Sequence, residues 1–189
     1  MKEAVISFLE LIYPLTPELK NWLKIHLKEK QLSKKEVFLK PGDISNKISF
    51  ITKGLLRSYY ITDEGIDTTV WFMKEGDVTI SVKSFYERSP SLEFIEAIEE
   101  TTLLYITYDE LQKVYLLFPE FNIIGRIVTE KYYVLSEERL LGIRNKKATD
   151  RYSFLLKYHP EIILRAPAQH IASYLDIDKA TLSRLKSKH

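Results

Sequence analysis

Pro167-Ala168-Gln169-His170-Ile171-Ala172-Ser173-Tyr174-Leu175-Asp176-Ile177-Asp178-Lys179-Ala180-Thr181-Leu182-Ser183-Arg184-Leu185-Lys186 has the spacing of two short helices joined by a tight turn. Ile171, Leu175, Ile177, Leu182 and Leu185 make one small apolar core between crossing helices. Ala172 is small where the second helix presses on the first. Asp176 stands at the turn, where a positive φ is usually required; Gly is the common residue there, and Asp tolerates that conformation better than most. Asp178 is placed to cap the second helix. The pattern is that of a helix-turn-helix. Its second helix exposes Lys179, Thr181, Ser183, Arg184, Lys186 and Lys188, which suits a helix entering a DNA major groove while flanking cations hold phosphates. A solvated basic helix at the end of a bundle is the simpler alternative. It does not account for the small Ala, the turn acid, the cap and the apolar spacing together.

Residues upstream belong to the same expected interface. Gln169 and His170 lie on the first helix, where His170 either approaches a phosphate or is solvated. Arg165, just before Pro167, is placed to meet backbone phosphate near a helix N-terminus, or else to pair with Glu161 four residues earlier.

The charge distribution agrees. The 189 residues carry a net charge of +2, but residues 145–189 hold 9 Lys/Arg against 4 Asp/Glu, while residues 1–144 hold 19 against 22. A +5 tail on a −3 body raises the prior for an anionic partner, nucleic acid before membrane surface. The composition is 45% apolar and 29% charged, which excludes a disordered chain. The absence of cysteine excludes disulfides, thiolate metal sites, iron–sulfur clusters and a cysteine nucleophile. The N-terminal Met1–Glu10 stretch lacks a signal-peptide pattern, and no apolar run approaches the ~18–20 residues of a membrane span. A cytoplasmic protein without membrane contact is expected.

Upstream, Thr16-Pro17-Glu18 starts a helix whose apolar face is Leu19, Trp22, Leu23 and Leu27. Short β-rich runs follow at 36–40, 48–53, 55–62, 68–73, 78–82, 92–99 and 102–106. Many are separated by turn signals such as Pro41-Gly42-Asp43, Gly54, Asp63-Glu64-Gly65 and Glu75-Gly76-Asp77. Strands at this spacing without intervening helices predict an antiparallel sandwich or jelly roll, with one bulge expected within 92–99. Thr107-Tyr108-Asp109-Glu110 has the form of a capping box. After Pro119 a long helix runs to about Arg144, with Phe121, Ile124, Val128, Tyr132 and Leu135 on one stripe. That stripe packs either on its own barrel or, in the reading preferred here, on its twin across a two-fold axis. Gly125 and Gly142 allow close approach. Three helices are expected beyond Asn145-Lys146-Lys147, at about 150–158, 167–175 and 179–188.

Other chemistries find little support. Histidine is absent from the barrel span 36–107, so a cupin-type metal enzyme or an axial haem ligand has no ligand set there. No nucleophile–base pair or Gly-rich phosphate loop appears, and neither enzymatic activity, a metal nor a cofactor is expected. Phe72, Phe85, Tyr86 and Phe94 are either core or the lining of an apolar pocket; Tyr59-Tyr60 and Tyr132-Tyr133 read as packing at a domain junction.

Pro41-Gly42-Asp43, Ile51-Thr52-Lys53-Gly54-Leu55-Leu56-Arg57, Glu75-Gly76-Asp77 and the helix-turn-helix occur in the order and at intervals that resemble the Crp/Fnr transcription regulators. Leu182-Ser183-Arg184 after Ala172-Ser173-Tyr174-Leu175 is similar to the short branch common in Bacteroidetes-type bacteria. The resemblance spans nearly the whole chain. It implies an α+β fold: an antiparallel β jelly roll of the cyclic-nucleotide-binding type, a long dimerisation helix and a small all-α helix-turn-helix domain. In nucleotide-binding members a carboxylate holds the ribose and an Arg neutralises the cyclic phosphate. The corresponding places here are Ile80-Ser81-Val82 and Ser91, with Arg88 too early for an easy match. Losing these charge-assisted contacts argues against cyclic AMP in the usual mode. Ile80, Ser81, Val82 and Ser91 remain the candidate pocket residues for an unknown small-molecule effector.

The expected organisation is an effector domain at 1–118, a dimer helix at 119–145 and a DNA-binding domain at 146–189. The dimer would bind a roughly palindromic double-stranded operator. Lys179, Ala180 and Arg184 match the family's base-facing positions, and Thr181, Ser183, Lys186 and Lys188 the backbone-facing ones. With His189 just past the second helix no β-hairpin wing is expected, so phosphate contacts should be few. A ligand-binding or protein-interaction module whose basic tail meets an acidic partner is the alternative.

Overall fold

Short alternating runs between residues 28 and 107 pair into two four-stranded antiparallel sheets. The computed structural model describes residues 1–187; Lys188 lies outside the described residues, as do the side chains of 143–145. In chain order the elements are α1 (Lys2–Ile12), α2 (Pro17–His26), β1 (Lys28–Leu32), β2 (Val37–Leu39), β3 (Lys47–Lys53), β4 (Leu56–Ile61), β5 (Asp67–Met73), β6 (Val78–Thr79), α3 (Val82–Glu87), β7 (Phe94–Ala97), β8 (Thr101–Thr107), α4 (Tyr108–Leu117), α5 (Pro119–Asn145), α6 (Ala148–Tyr158), α7 (Pro160–Arg165), α8 (Ala168–Tyr174) and α9 (Lys179–Lys186). One sheet has the order β1-β8-β3-β6, the other β2-β7-β4-β5, and every named pairing is antiparallel. This is the jelly roll expected from the spacing of the runs.

Three elements were not legible. Strand β1 reads Lys-Glu-Lys-Gln-Leu, almost wholly polar, because it is a sheet edge paired only with β8 and exposes its charges. Helix α3 follows a β6 of two residues, so the expected 78–82 strand is cut short; its six residues include Val82, Phe85 and Tyr86, which favour strands in isolation. Helix α7 begins at Pro160, which pre-sets φ for a first helical position as readily as it breaks a chain. The bulge expected within 92–99 falls instead on the partner strand. Val37 pairs with Glu96 and Leu39 with Ile95, so Phe38 is the extra residue. Edge strand β2 accommodates it more easily than β7, which is paired on both sides.

Capping agrees with the sequence reading. Thr16 Oγ1 accepts the Leu19 N–H at 3.3 Å and donates to Glu120 at 2.7 Å, tying α2 to α5. The Thr107/Glu110 capping box closes in both directions.

The apolar residues gather in three cores. One, beneath the first sheet, joins Val5 and Ile6 of α1, Leu19 and Leu23 of α2, Leu111 of α4 and Phe121 and Ile124 of α5 to Leu104 and Ile106. A second lies between the sheets, around Leu39, Ile51, Leu56, Ile95 and Leu103. The third unites Leu55, Phe72 and Ile98 of the barrel with Tyr152, Leu155, Ile162, Ile171, Leu175, Leu182 and Leu185 of the C-terminal helices. The C-terminal helices thus share their core with the barrel wall.

That arrangement corrects the reading of α5 as a twin-facing stripe. Phe121 and Ile124 are buried in the first core, Val128 packs against it, and the Tyr132 hydroxyl accepts the Val78 N–H at 2.7 Å. Leu135 is half-buried. Phe121, Ile124, Val128 and Tyr132 therefore cover the chain's own barrel and its N-terminal helices. Gly125 serves the same packing: a Cβ there would lie 2.4 Å from the Tyr115 hydroxyl oxygen of α4.

Gly54 closes the β3–β4 turn with φ +104°, and a Cβ there would lie 2.6 Å from Thr101 Cα and 2.7 Å from the Glu100 carbonyl oxygen. Backbone cannot yield as a side chain does. Gly54→Ala is expected to destabilise the fold by at least about 2 kcal/mol, measured by urea unfolding.

Candidate nucleic-acid interface and effector cavity

The helix-turn-helix is assembled as its residues require. Asp176 sits at φ +51°, and its N–H donates to the Ser173 carbonyl while Ile177 donates to Ala172. The Asp178 carboxylate accepts the Thr181 N–H at 2.7 Å and the Thr181 hydroxyl at 2.8 Å, and these bonds lower its pKa. Ile171, Ala172, Leu175, Leu182 and Leu185 are buried between the helices. Two cations that the sequence reading passed over hold the motif in place. Arg151 of α6 donates to the Leu175 and Asp176 carbonyls at 2.8 and 3.1 Å, clasping the turn. Arg139 of α5 donates to the Tyr174 carbonyl and lies 3.9 Å from the centroid of the Tyr174 ring. Both are remote in sequence from the turn, so spacing gave no sign of them.

Lys179, Ala180, Ser183, Arg184 and Lys186 lie exposed on α9, and Gln169 lies exposed on α8. Thr181 is half-buried and engaged with Asp178, and the Arg184 guanidinium folds back onto the Thr181 hydroxyl at 2.9 Å. Gln169 and Lys179 border a cleft whose opposite wall is Ile66-Asp67-Thr68 at the start of β5.

Two expected interface residues are elsewhere. Arg165 does not face solvent as a phosphate contact, nor does it pair with Glu161. It reaches the barrel, donating to both oxygens of Glu75 at 2.9 Å and to Glu99 at 2.5 Å, while Glu161 pairs with Lys74. A guanidinium beside two carboxylates is held by them, and its pKa is raised. His170 is neither solvated nor free for phosphate. It is 8% exposed, and burial, followed by the charge of Arg57, lowers its pKa. Arg57, itself 2% exposed, is bound to Asp67, Thr69 and Glu96 inside the second sheet. Ser173 completes the docking, accepting the Thr69 N–H at 2.8 Å and donating to the Asp67 carbonyl at 3.1 Å.

A cavity of about 510 Å³ opens between the barrel and α5. Ile80 and Val82 line it; Ser81 and Ser91 do not. Those two hydroxyls close on each other at 3.3 Å, and the Ser91 hydroxyl also bridges the backbone of Glu93, so they knit the loop between α3 and β7 together. Arg88 is directed away from the cavity: it donates to the Ser45 carbonyl and Asn46 and stacks on Tyr108. Of the aromatics considered for a pocket, Tyr86 is part of the lining. Phe72 packs on Tyr174, Phe85 is core, and Phe94 stacks on Tyr59.

Residues 29–116 match the cyclic nucleotide-binding domain family. No curated protein sequence matches the chain significantly. Among solved structures it is similar to FixK2 from Bradyrhizobium japonicum, with TM-score 0.73, 20% identity, and coverage of 86% of this chain and 83% of that one. It is also similar to a substituted CooA from Carboxydothermus hydrogenoformans, with TM-score 0.68, 23% identity and coverage of 87% and 76%. A third likeness is to a Eubacterium rectale protein assigned to the Crp/Fnr transcriptional regulators, with TM-score 0.72, 17% identity and coverage of 96% and 87%. The chain shares the fold of these three structures.

Ser81 and Ser91 bond each other, and the Arg88 guanidinium is bound to the Ser45 carbonyl and Asn46. Among the described residues no helix is long and apolar enough to cross a membrane.

The Glu75–Arg165 clasp carries a pH signature. Burial would raise the Glu75 carboxyl, but hydrogen bonds from Arg165 and from the Gly54 N–H outweigh it and hold the group at about 2, against an ordinary 4.5. A lowered folded-state value means that the stabilisation is fully present above pH 4.5 and lost as pH falls toward about 2. Thermal unfolding followed by circular dichroism should lose stability more steeply across that window in the wild type than in Glu75→Gln.

Proposed function

We propose that the chain is a dimeric, DNA-binding transcription regulator of the Crp/Fnr type, with no enzymatic activity and no response to cyclic AMP in the usual mode. The carrying observation is the capped second helix α9, packed on its apolar side and presenting Lys179, Ser183, Arg184 and Lys186 to solvent. A helix so supported offers a rigid basic face of the width a major groove admits. Residues 1–118 serve as the effector domain, 119–145 as the dimer helix and 146–189 as the DNA-binding domain.

Arg184 is assigned the bidentate contact to a guanine, with Lys179 and Ala180 beside it on base edges. Ser183, Lys186 and Lys188 hold backbone phosphate. Thr181 positions the helix through Asp178 and touches the backbone at most from its N-terminal edge. Arg165 leaves the set of phosphate contacts, because its guanidinium is bound to Glu75 and Glu99. Dimerisation falls to the face of α5 that the barrel leaves uncovered, where Tyr133, Val134, Leu140 and Leu141 are exposed. A two-fold dimer would then read two half-sites about one helical turn, ~34 Å, apart. The protein works in the cytoplasm, where its DNA lies.

Gel-shift titration against DNA from its own promoter region, at two salt concentrations, tests the reading. Binding should fall steeply with salt. Arg184→Ala should cost about 1–3 kcal/mol on the cognate site and relax specificity at one base pair, whereas Lys186→Ala should weaken all sequences similarly. Salt-insensitive or absent DNA binding by the wild-type dimer overturns the proposal and favours an acidic protein partner for the basic helix.

A further inference from the structure

Strand β5 is the outer strand of the second sheet, and α8 lies against its free edge. Thr69 of β5 is buried, so its outward N–H sits away from water with no strand to pair with. Ser173 takes the place of that strand, its hydroxyl accepting the Thr69 N–H and donating to the Asp67 carbonyl. A buried backbone N–H left without an acceptor is unfavourable, so these bonds favour the docked position of α8.

His170 stands one helical turn before Ser173, on the same face of α8, and is buried in the contact. Four charged groups face its ring: Arg57 of β4, Asp67 of β5, Glu96 of β7 and Lys179 of α9. The Arg57 guanidinium engages both oxygens of Asp67, at 2.5 and 2.6 Å, one oxygen of Glu96 at 3.2 Å and the Thr69 hydroxyl at 3.1 Å. Its charge is thereby fixed beside the imidazole. Among the described residues neither carboxylate accepts a hydrogen bond from the ring, whose Nε2 lies 3.4 Å from the Gln169 side-chain nitrogen. A proton added to His170 enters a buried site next to a guanidinium, with no carboxylate bound to the ring. Burial first, then Arg57 and Lys179, hold the ring below its ordinary value of 6.5 against the opposing charges of Asp67 and Glu96.

We propose that His170 makes the contact between α8 and β5 a proton-sensitive latch, closed while the imidazole is neutral and loosened when it takes up a proton. A ring released to water regains its ordinary value, so the released form binds the proton more tightly. Docking is at full strength above pH 6.5 and weakens as the pH falls below it. The Glu75 carboxylate of the same junction titrates at about 2 and stays charged across this range. The latch belongs to the docked contact itself; its use to control DNA binding rests on the regulator reading.

Amide hydrogen exchange of the full chain tests it, read residue by residue by NMR at about pH 7.5 and about pH 5.5 and corrected for the intrinsic pH dependence of exchange. The Thr69 N–H exchanges when Ser173 leaves it, so its opening constant should rise severalfold, and by up to about tenfold, at the lower pH. The N–H of Ile51, bonded inside the barrel to the Asp77 carbonyl at 3.0 Å, should keep its protection. In His170→Gln, which carries no titratable ring, Thr69 should open equally at both pH values. Titration of the His170 ring resonances in the wild type gives an independent reading should that variant not fold, with a midpoint below 6.5 expected. Thr69 protection that ignores pH, an equal change at Ile51, a pH effect that survives in His170→Gln, or a midpoint at or above 6.5 each overturns the proposal. Gel shifts at the same two pH values separate it from the regulator reading. The exchange signature in a chain that shifts no DNA overturns the regulator reading alone, and DNA binding without the signature overturns the latch alone.

Discussion

The Glu75 carboxylate joins three parts of the molecule. It sits in the turn before β6, accepts the N–H of Gly54 from the turn before β4 at 2.7 Å, and receives both terminal nitrogens of Arg165 from the C-terminal helices. Gly54 packs so tightly on Thr101 and the Glu100 carbonyl that a Cβ would not fit. Around this clasp the apolar surfaces of Leu55, Phe72 and Ile98 meet Tyr152, Ile162 and Ile171. The hydrophobic contact supplies the attraction, while the ion pairs of Arg165 with Glu75 and Glu99, and of Lys74 with Glu161, set the register in which the two surfaces meet.

A consequence is that the helix-turn-helix is not an appendage. Ser173 is bonded to the backbone of β5, His170 is buried near the Arg57 cluster, and Arg139 of α5 holds the end of α8. Arg139 thus joins α5 to the end of α8, whose core is shared with the basic helix. The cavity lies along the same face of α5, where Tyr132, two turns before Arg139, is bonded to the backbone of Val78.

The apolar stripe of α5 shows where one-dimensional reading stops. Phe121, Ile124, Val128 and Tyr132 recur at helical spacing whether the covering surface is a twin helix or the chain's own barrel. Periodicity reports that a face is covered and says nothing about what covers it. Arg165 presents the same difficulty in electrostatic form. A cation next to a helix start suits a phosphate or a carboxylate equally, and its carboxylates lie 66 and 90 residues away in sequence.

Local chemistry was legible wherever partners lie within a few residues. The caps at Thr16, Thr107 and Asp178, the left-handed turn at Asp176, the long helix after Pro119 and the core of the helix-turn-helix all follow from interactions spanning one or two turns of chain. The jelly roll was legible too, because alternation and turn residues recur at even spacing. What the tertiary structure decided was long-range. It made a strand of the polar edge segment Lys28–Leu32, ended β6 early to begin α3, turned Arg88 away from the cavity and closed Ser81 on Ser91. The physical reason is common to these cases. Short-range hydrogen bonds and periodicity are properties of a segment, whereas the partner of a buried charge or hydroxyl is settled only when distant segments pack together.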